Sequence, residues 1–177
     1  MATDRELIER VLFLQDRHAY EQLVLRYQST VRRWARRLCR GDSHAADDLA
    51  QETFIRGYTH LASFRAEARF SSWLYRIAFN LAVSEGRKQR EWLSEDAIEE
   101  QAGHSSEQID ARNDLGLAMA QLSQAQQLTI RLSLEEGFTH EEIAEILGLP
   151  LGTVKTHINR GKQHLQLLLA PWRETAP

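Results

Sequence analysis

The chain has 177 residues, 42% hydrophobic and 27% charged, which suits one globular domain or two small ones and excludes a disordered chain. Its single cysteine, Cys39, excludes an intrachain disulfide and a thiolate zinc cluster. No apolar run approaches the roughly 20 residues of a membrane span, and the charged opening MATDRELIER has no signal-peptide core, so a soluble cytoplasmic protein is expected.

The net charge of −3 hides its distribution. Residues 1–40 carry +4, 61–90 carry +4 and 149–177 carry +3. Between them lie 41–60 at −3, 91–114 at −7 and 115–148 at −4. Nucleic acid binds local patches rather than whole-chain charge, so the basic zones keep that partner open.

Helical periodicity dominates. Tyr20, Leu23, Val24, Tyr27, Val31, Trp34, Ala35 and Leu38 recur every three or four residues and predict one long amphipathic helix. Its other face carries Arg26, Arg32, Arg33, Arg36, Arg37 and Arg40. Gly41 reads as its stop, and Asp42 or Ser43 as the cap of the next helix. That helix, about 44–61, is expected to bury Leu49, Ala50, Phe54 and Leu61. A third runs from about Ser71 to Arg90 with Leu74, Ile77 and Leu81 inward. No run alternates as a strand would, so the fold is read as all-α, in two small helical domains.

Residues 54–79 hold seven of the fourteen aromatics, interleaved with Arg56, Arg65, Arg69 and Arg76. Aromatics stack on unpaired bases while cations hold the backbone, a mixture suited to single-stranded DNA. Taken alone, such a stretch is more often core. Residues 91–113 are acidic, poor in aliphatics and broken by Gly-His-Ser-Ser. They read as a linker between domains at 1–90 and 114–177, or in part as a short exposed helix around 94–101.

The stretch THEEIAEILGLPLGTVKTHINRGKQHL at 139–165 carries the most specific local signal. Thr139 and Glu142 form a capping box, Gly148 makes the turn, and Pro150 and Gly152 precede a second helix with Val154, Ile158 and Leu165 inward. This is helix-turn-helix punctuation. Thr153, Lys155, Thr156, His157, Asn159, Arg160, Lys162 and Gln163 are read as outward, with the cations and hydrogen-bonding groups a major-groove reader needs. The plain alternative is a helical hairpin with a solvated face.

The run DDLAQETFI at 47–55, followed by SFRAEARFSSWLYRIAFN at 63–80, closely resembles bacterial extracytoplasmic-function (ECF) sigma factors. GTVK at 152–155 within the helix-turn-helix resembles the last domain of the same group. The resemblance spans about 6–90 and 115–168. TVKTHI also looks like the output domain of LuxR-type regulators, which lack the first block and would act without polymerase.

The resemblance implies sigma domain two, then sigma domain four, and a protein that catalyses no covalent step. Asp47, Asp48, Gln51, Glu52 and Ile55 would meet the β′ clamp helices of core RNA polymerase, and the second domain the β flap. Phe64, Arg65, Phe70, Trp73, Arg76 and Asn80 would read the −10 element around a flipped base, with Arg87 and Lys88 on duplex phosphates. Thr153, Lys155, Thr156, His157, Asn159, Arg160 and Gln163 would read the −35 element. His157 stands where Arg is frequent in the family, and Gly161 where Ala is frequent. The resemblance admits an anti-sigma factor as a further partner, which could hold the protein at the inner face of the membrane. No cofactor is implied. His157 and His164, with no other obvious ligands, are weak grounds for a metal. No Gly-rich phosphate loop, HExxH pair or nucleophile elbow appears.

Overall fold

The computed structural model describes residues 2–65, 67–83, 111–168 and 170, with the side chains of 111–114 left aside. Among the described residues the regular elements are helical and there is no strand, as the 3.6-residue periodicity predicts. The chain divides into two compact units. One is amino-terminal and the other carboxy-terminal.

In the first unit, α1 spans Asp4–Leu14 and opens with a capping box, in which Thr3 accepts from the Glu6 amide and the Glu6 carboxylate accepts from the Thr3 amide. Such a reciprocal pair satisfies two of the four amides a helix start leaves open. Gln15 turns the chain in the left-handed region, and Asp16 then caps α2, Arg17–Leu38. Gly41, at φ 89°, supplies the next turn, where a side chain would be strained. Asp42 caps α3, Ser43–Thr59. A single 3₁₀ turn, Leu61–Ser63, leads into a loop and then α4, Phe70–Ala82.

The first core gathers Leu7, Leu23, Val31, Trp34, Leu61, Leu74 and Phe79, all essentially inaccessible. Each such side chain contributes about 1.5–3 kcal/mol by burial. The α3 face differs from expectation. Its buried stripe is Ala46, Leu49, Ala50, Thr53 and Gly57, while Phe54 is only half-buried and Leu61 lies in the 3₁₀ turn. Thr53 can be buried because its hydroxyl donates to the Leu49 carbonyl at 2.7 Å. At Gly57 an added Cβ would stand 2.9 Å from Tyr20 Oη and 3.2 Å from Leu74 Cδ1. The small stripe thus lets α2, α3 and α4 converge. On α4 the buried residues are Phe70, Ser72, Trp73, Leu74, Tyr75, Ala78 and Phe79. Ile77 and Leu81, expected inward, are half-buried.

In the second unit, α5 spans Ala111–Ala120, opening inside the stretch read as linker; residues 84–110, which hold the rest of it, lie outside the described residues. A capping box of Ser123 and Gln126 starts α6, Gln124–Leu134. The expected box of Thr139 and Glu142 starts α7, His140–Leu147, and Gly148 ends it at φ 64°. After Leu149 and Pro150, α8 runs over Leu151–Leu168. Ala118, Met119, Leu122, Ile130 and Leu165 form a core cluster here, with Leu168 packed against it.

Candidate nucleic-acid interface

Three surfaces carry the residues singled out by sequence. On α3, Asp47, Asp48, Gln51 and Ile55 are exposed, with Ile55 at 57%. Glu52 is half-buried and accepts from Arg56 Nε at 2.7 Å, one turn along the same helix. The open anionic groups are therefore Asp47 and Asp48, beside an apolar side chain. A basic partner with an apolar strip would match that surface.

The loop before α4 and its first turns hold an aromatic cluster. Phe64 meets Phe70 edge-on at 5.6 Å and Trp73 at 5.5 Å, and Tyr27 meets Phe70 edge-on at 5.5 Å. Edge-to-face pairs of this kind each add about 0.5–1.5 kcal/mol beyond burial. Phe70 is 3% exposed and Trp73 6%. Both are core residues, placed inward by the 70, 73, 74, 78 helical stripe, the alternative that the sequence leaves open for an aromatic-rich stretch. Phe64 is half-buried, Arg65 and Asn80 are exposed, and Arg76 is partly so. Arg76 and Asn80 are four residues apart on α4 and share a side. Arg87 and Lys88 lie outside the described residues.

Sequence spacing holds no sign of what secures Tyr27. Its phenol donates to Asp4, and Asp4 also accepts from Arg26 Nη1. Arg26 Nη2 donates to the Ala2 carbonyl at 2.6 Å. Burial, followed by the Asp4 carboxylate, pushes the Tyr27 phenol far up, so it stays protonated and keeps donating. Arg26, read by sequence as part of an outward basic face, is instead engaged by the start of the chain. At the end of α2, burial and then Asp42 push the Cys39 thiol up, which disfavours the reactive thiolate of a redox switch.

On α8, Lys155, Thr156, Asn159, Arg160, Lys162 and Gln163 are exposed and Thr153 is half-buried. The Thr156 hydroxyl donates to the Gly152 carbonyl at 2.9 Å, which orients its side chain. His157 is 6% exposed, which corrects its reading as a DNA contact. It belongs to the buried stripe Val154, His157, Ile158, Gly161, Leu165. That stripe keeps the 3, 4, 7 spacing of a core face, a signal present in the sequence.

The fold thus defines a two-unit helical protein with a helix-turn-helix in the second unit. Residues 23–91 match the family model Sigma-70 region 2, and residues 112–165 match Sigma-70, region 4. The chain is 33% identical to the RNA polymerase sigma-H factor of Pseudomonas aeruginosa, over 95% of this chain and 94% of that one. It is also 33% identical to the ECF RNA polymerase sigma-E factor of Haemophilus influenzae, over 96% of each. Among solved structures it resembles the sigma factor RpoE from Bartonella quintana, solved in complex with the anti-sigma factor NepR. That match has a TM-score of 0.61 and 28% identity, and covers 85% of this chain and 96% of that one. The chain belongs to the ECF sigma factors of bacterial RNA polymerase, a family of non-enzymatic initiation factors. A LuxR-type regulator acting alone is not supported, because the region 2 match takes in the whole aromatic block.

Proposed function

We propose that this sigma factor works in the cytoplasm, where it binds core RNA polymerase, directs it to promoters through −35 and −10 elements and assists strand opening. The observation that carries the reading is the order of the two matches, region 2 over residues 23–91 before region 4 over residues 112–165. Asp47, Asp48, Gln51 and Ile55 offer the docking face for the β′ clamp helices, and the second unit also meets the β flap. Phe64, Arg65, Arg76 and Asn80 stand at the −10 element, with Phe70 and Trp73 bracing Phe64 from inside. Stacking and hydrogen bonds there offset the few kcal/mol that extruding a base costs. Lys155, Thr156, Asn159, Arg160 and Gln163 enter the major groove at the −35 element, flanked by Thr153. An anti-sigma factor, by analogy with the complex of the structural relative, is a further partner.

Co-migration with core polymerase on a sizing column tests this. The wild-type chain should travel with core, and an Asp47→Arg, Asp48→Arg double variant should not. A folded wild-type chain that ignores core would end the sigma reading.

A further inference from the structure

One feature of the first unit is unused by core docking and by −10 recognition. Residues 22–41 contain six arginines and no acid, in a chain of net charge −3. Arg26 is held by Asp4 and the Ala2 carbonyl. The other five, Arg32, Arg33, Arg36, Arg37 and Arg40, are exposed. The four on α2 itself, Arg32, Arg33, Arg36 and Arg37, fall within roughly 140° of the helix circumference at about 100° per residue and extend about 7.5 Å at about 1.5 Å per residue; Arg40 follows past the helix end, at φ 53°. The opposite side of the same turns is Val31, Trp34, Ala35 and Leu38, all buried. Packing therefore fixes the direction of the stripe.

We propose that this arginine stripe on α2 is a contact for the phosphate backbone of duplex DNA, separate from the −10 and −35 surfaces. The helix dipole accounts for cations in the last turn, Arg36 and Arg37, but not for Arg32 and Arg33 a turn earlier. The i,i+4 pair Arg32 and Arg36 brings like charges together on the helix, which is mildly unfavourable in isolation. A polyanion relieves that cost. Over about 7.5 Å a duplex presents about four phosphates, at one charge per ~1.7 Å, and guanidinium forks grip phosphate bidentately where ammonium acts as a point charge. Duplex is favoured over single strand because the stripe has no aromatic platform: its one aromatic neighbour, Trp34, is 1% exposed. With cations alone and no base-reading amides, the contact adds affinity without sequence preference. The inference takes its setting, a promoter complex, from the sigma reading.

Arg33, Arg37 and Arg40 also engage other groups of the chain, so the test rests on Arg32 and Arg36. Holoenzyme reconstituted with wild type or with an Arg32→Gln, Arg36→Gln variant is titrated onto a promoter selected by the wild-type holoenzyme from random DNA. The titration is repeated on the same fragment with scrambled −10 and −35 elements, at several salt concentrations. Co-migration with core and thermal melting should be unchanged by the variant. The slope of log affinity against log salt should become shallower by about 1.8, at ~0.9 per lost phosphate contact, on both fragments alike. Affinity near 0.1 M salt should fall on the order of tenfold. Photoreactive p-benzoylphenylalanine in place of Arg36 should crosslink to the duplex. An unchanged slope, or a crosslink to a polymerase subunit instead of DNA, overturns the proposal and assigns the stripe to protein contact. If the wild type fails to bind core, the sigma reading fails on that result alone. The free chain is then titrated onto the scrambled duplex, where a slope difference of the same size keeps the stripe and its absence overturns it.

Discussion

Gly161 on α8 lies against Ile130 on α6 so closely that an added Cβ would stand 2.3 Å from Cδ1 and 3.3 Å from Cγ1 of the isoleucine. A glycine inside a helix costs about 1 kcal/mol relative to alanine, and close approach of the two helices is what it provides. Forcing a methyl into a packed core costs about 1–3 kcal/mol, so Gly161→Ala should destabilise the second unit by about 1 kcal/mol net. With Ile130→Val, which removes Cδ1, the same change should become neutral or stabilising. A double-mutant cycle by urea melting measures the coupling. Additive effects would mean that the helices separate freely.

Tyr27 joins Asp4 to Phe70, and its two attachments can be cut one at a time. Tyr27→Phe keeps the ring and loses the bond to a carboxylate, at a cost of about 1.5–3 kcal/mol. Tyr27→Ala also removes the ring contact and should cost about 3–5 kcal/mol. In promoter complexes, permanganate footprinting should report less strand opening for Tyr27→Ala than for Tyr27→Phe, because only the former leaves Phe70 and Phe64 unbraced.

Burial separates His157 from its neighbours on α8. Arg160→Ala should weaken binding to the −35 duplex by about 1–3 kcal/mol and shift stability by less than about 0.5 kcal/mol. His157→Ala should do the reverse, lowering stability by about 2 kcal/mol with DNA affinity per folded molecule retained. Thermal melts run beside fluorescence-anisotropy titrations separate the two.

The cap of α2 sets an acid limit. The Arg10 guanidinium, at 2.6 Å, holds the Asp16 carboxyl below the usual carboxylate range, helped by the amides of Ala19 and His18. A carboxyl that ionises more readily folded than unfolded favours folding above its unfolded value, about 3.9. That contribution is lost as pH falls through the lower folded value. Asp16→Asn keeps a capping oxygen but loses the charge. Its melting temperature should lie below wild type at about pH 6, and the gap should narrow as pH falls below about 3.9.

Much of this architecture is legible in the sequence, and the failures share a cause. The α2 stripe of large apolar residues announces itself through periodicity, and the Thr139 capping box through its spacing. On α3 the buried stripe consists largely of small or polar residues, Ala46, Ala50, Thr53 and Gly57, so hydropathy selects Phe54 instead. Phe70 and Trp73 invite assignment to DNA because aromatics beside arginines suit both stacking and a core; their 3- and 4-residue spacing favours the core. His157 follows the same rule, but its residue type fits a groove reader and masks the spacing. The Asp4–Tyr27 bond spans 23 positions, and no local pattern encodes it.

At Gly57 three helices meet where no atom can be added, and the Tyr20 hydroxyl pressing on that point is itself anchored to the Phe54 carbonyl at 2.6 Å. That arrangement makes the order of evolutionary change matter. A side chain at position 57 becomes tolerable once position 20 has given up its hydroxyl, since the Leu74 methyl at 3.2 Å needs to give only slightly. Lineages that enlarge position 57 are therefore expected to pass through a permissive change at position 20, and Gly57→Ala introduced into a Tyr20→Phe background should fold where Gly57→Ala alone is impaired.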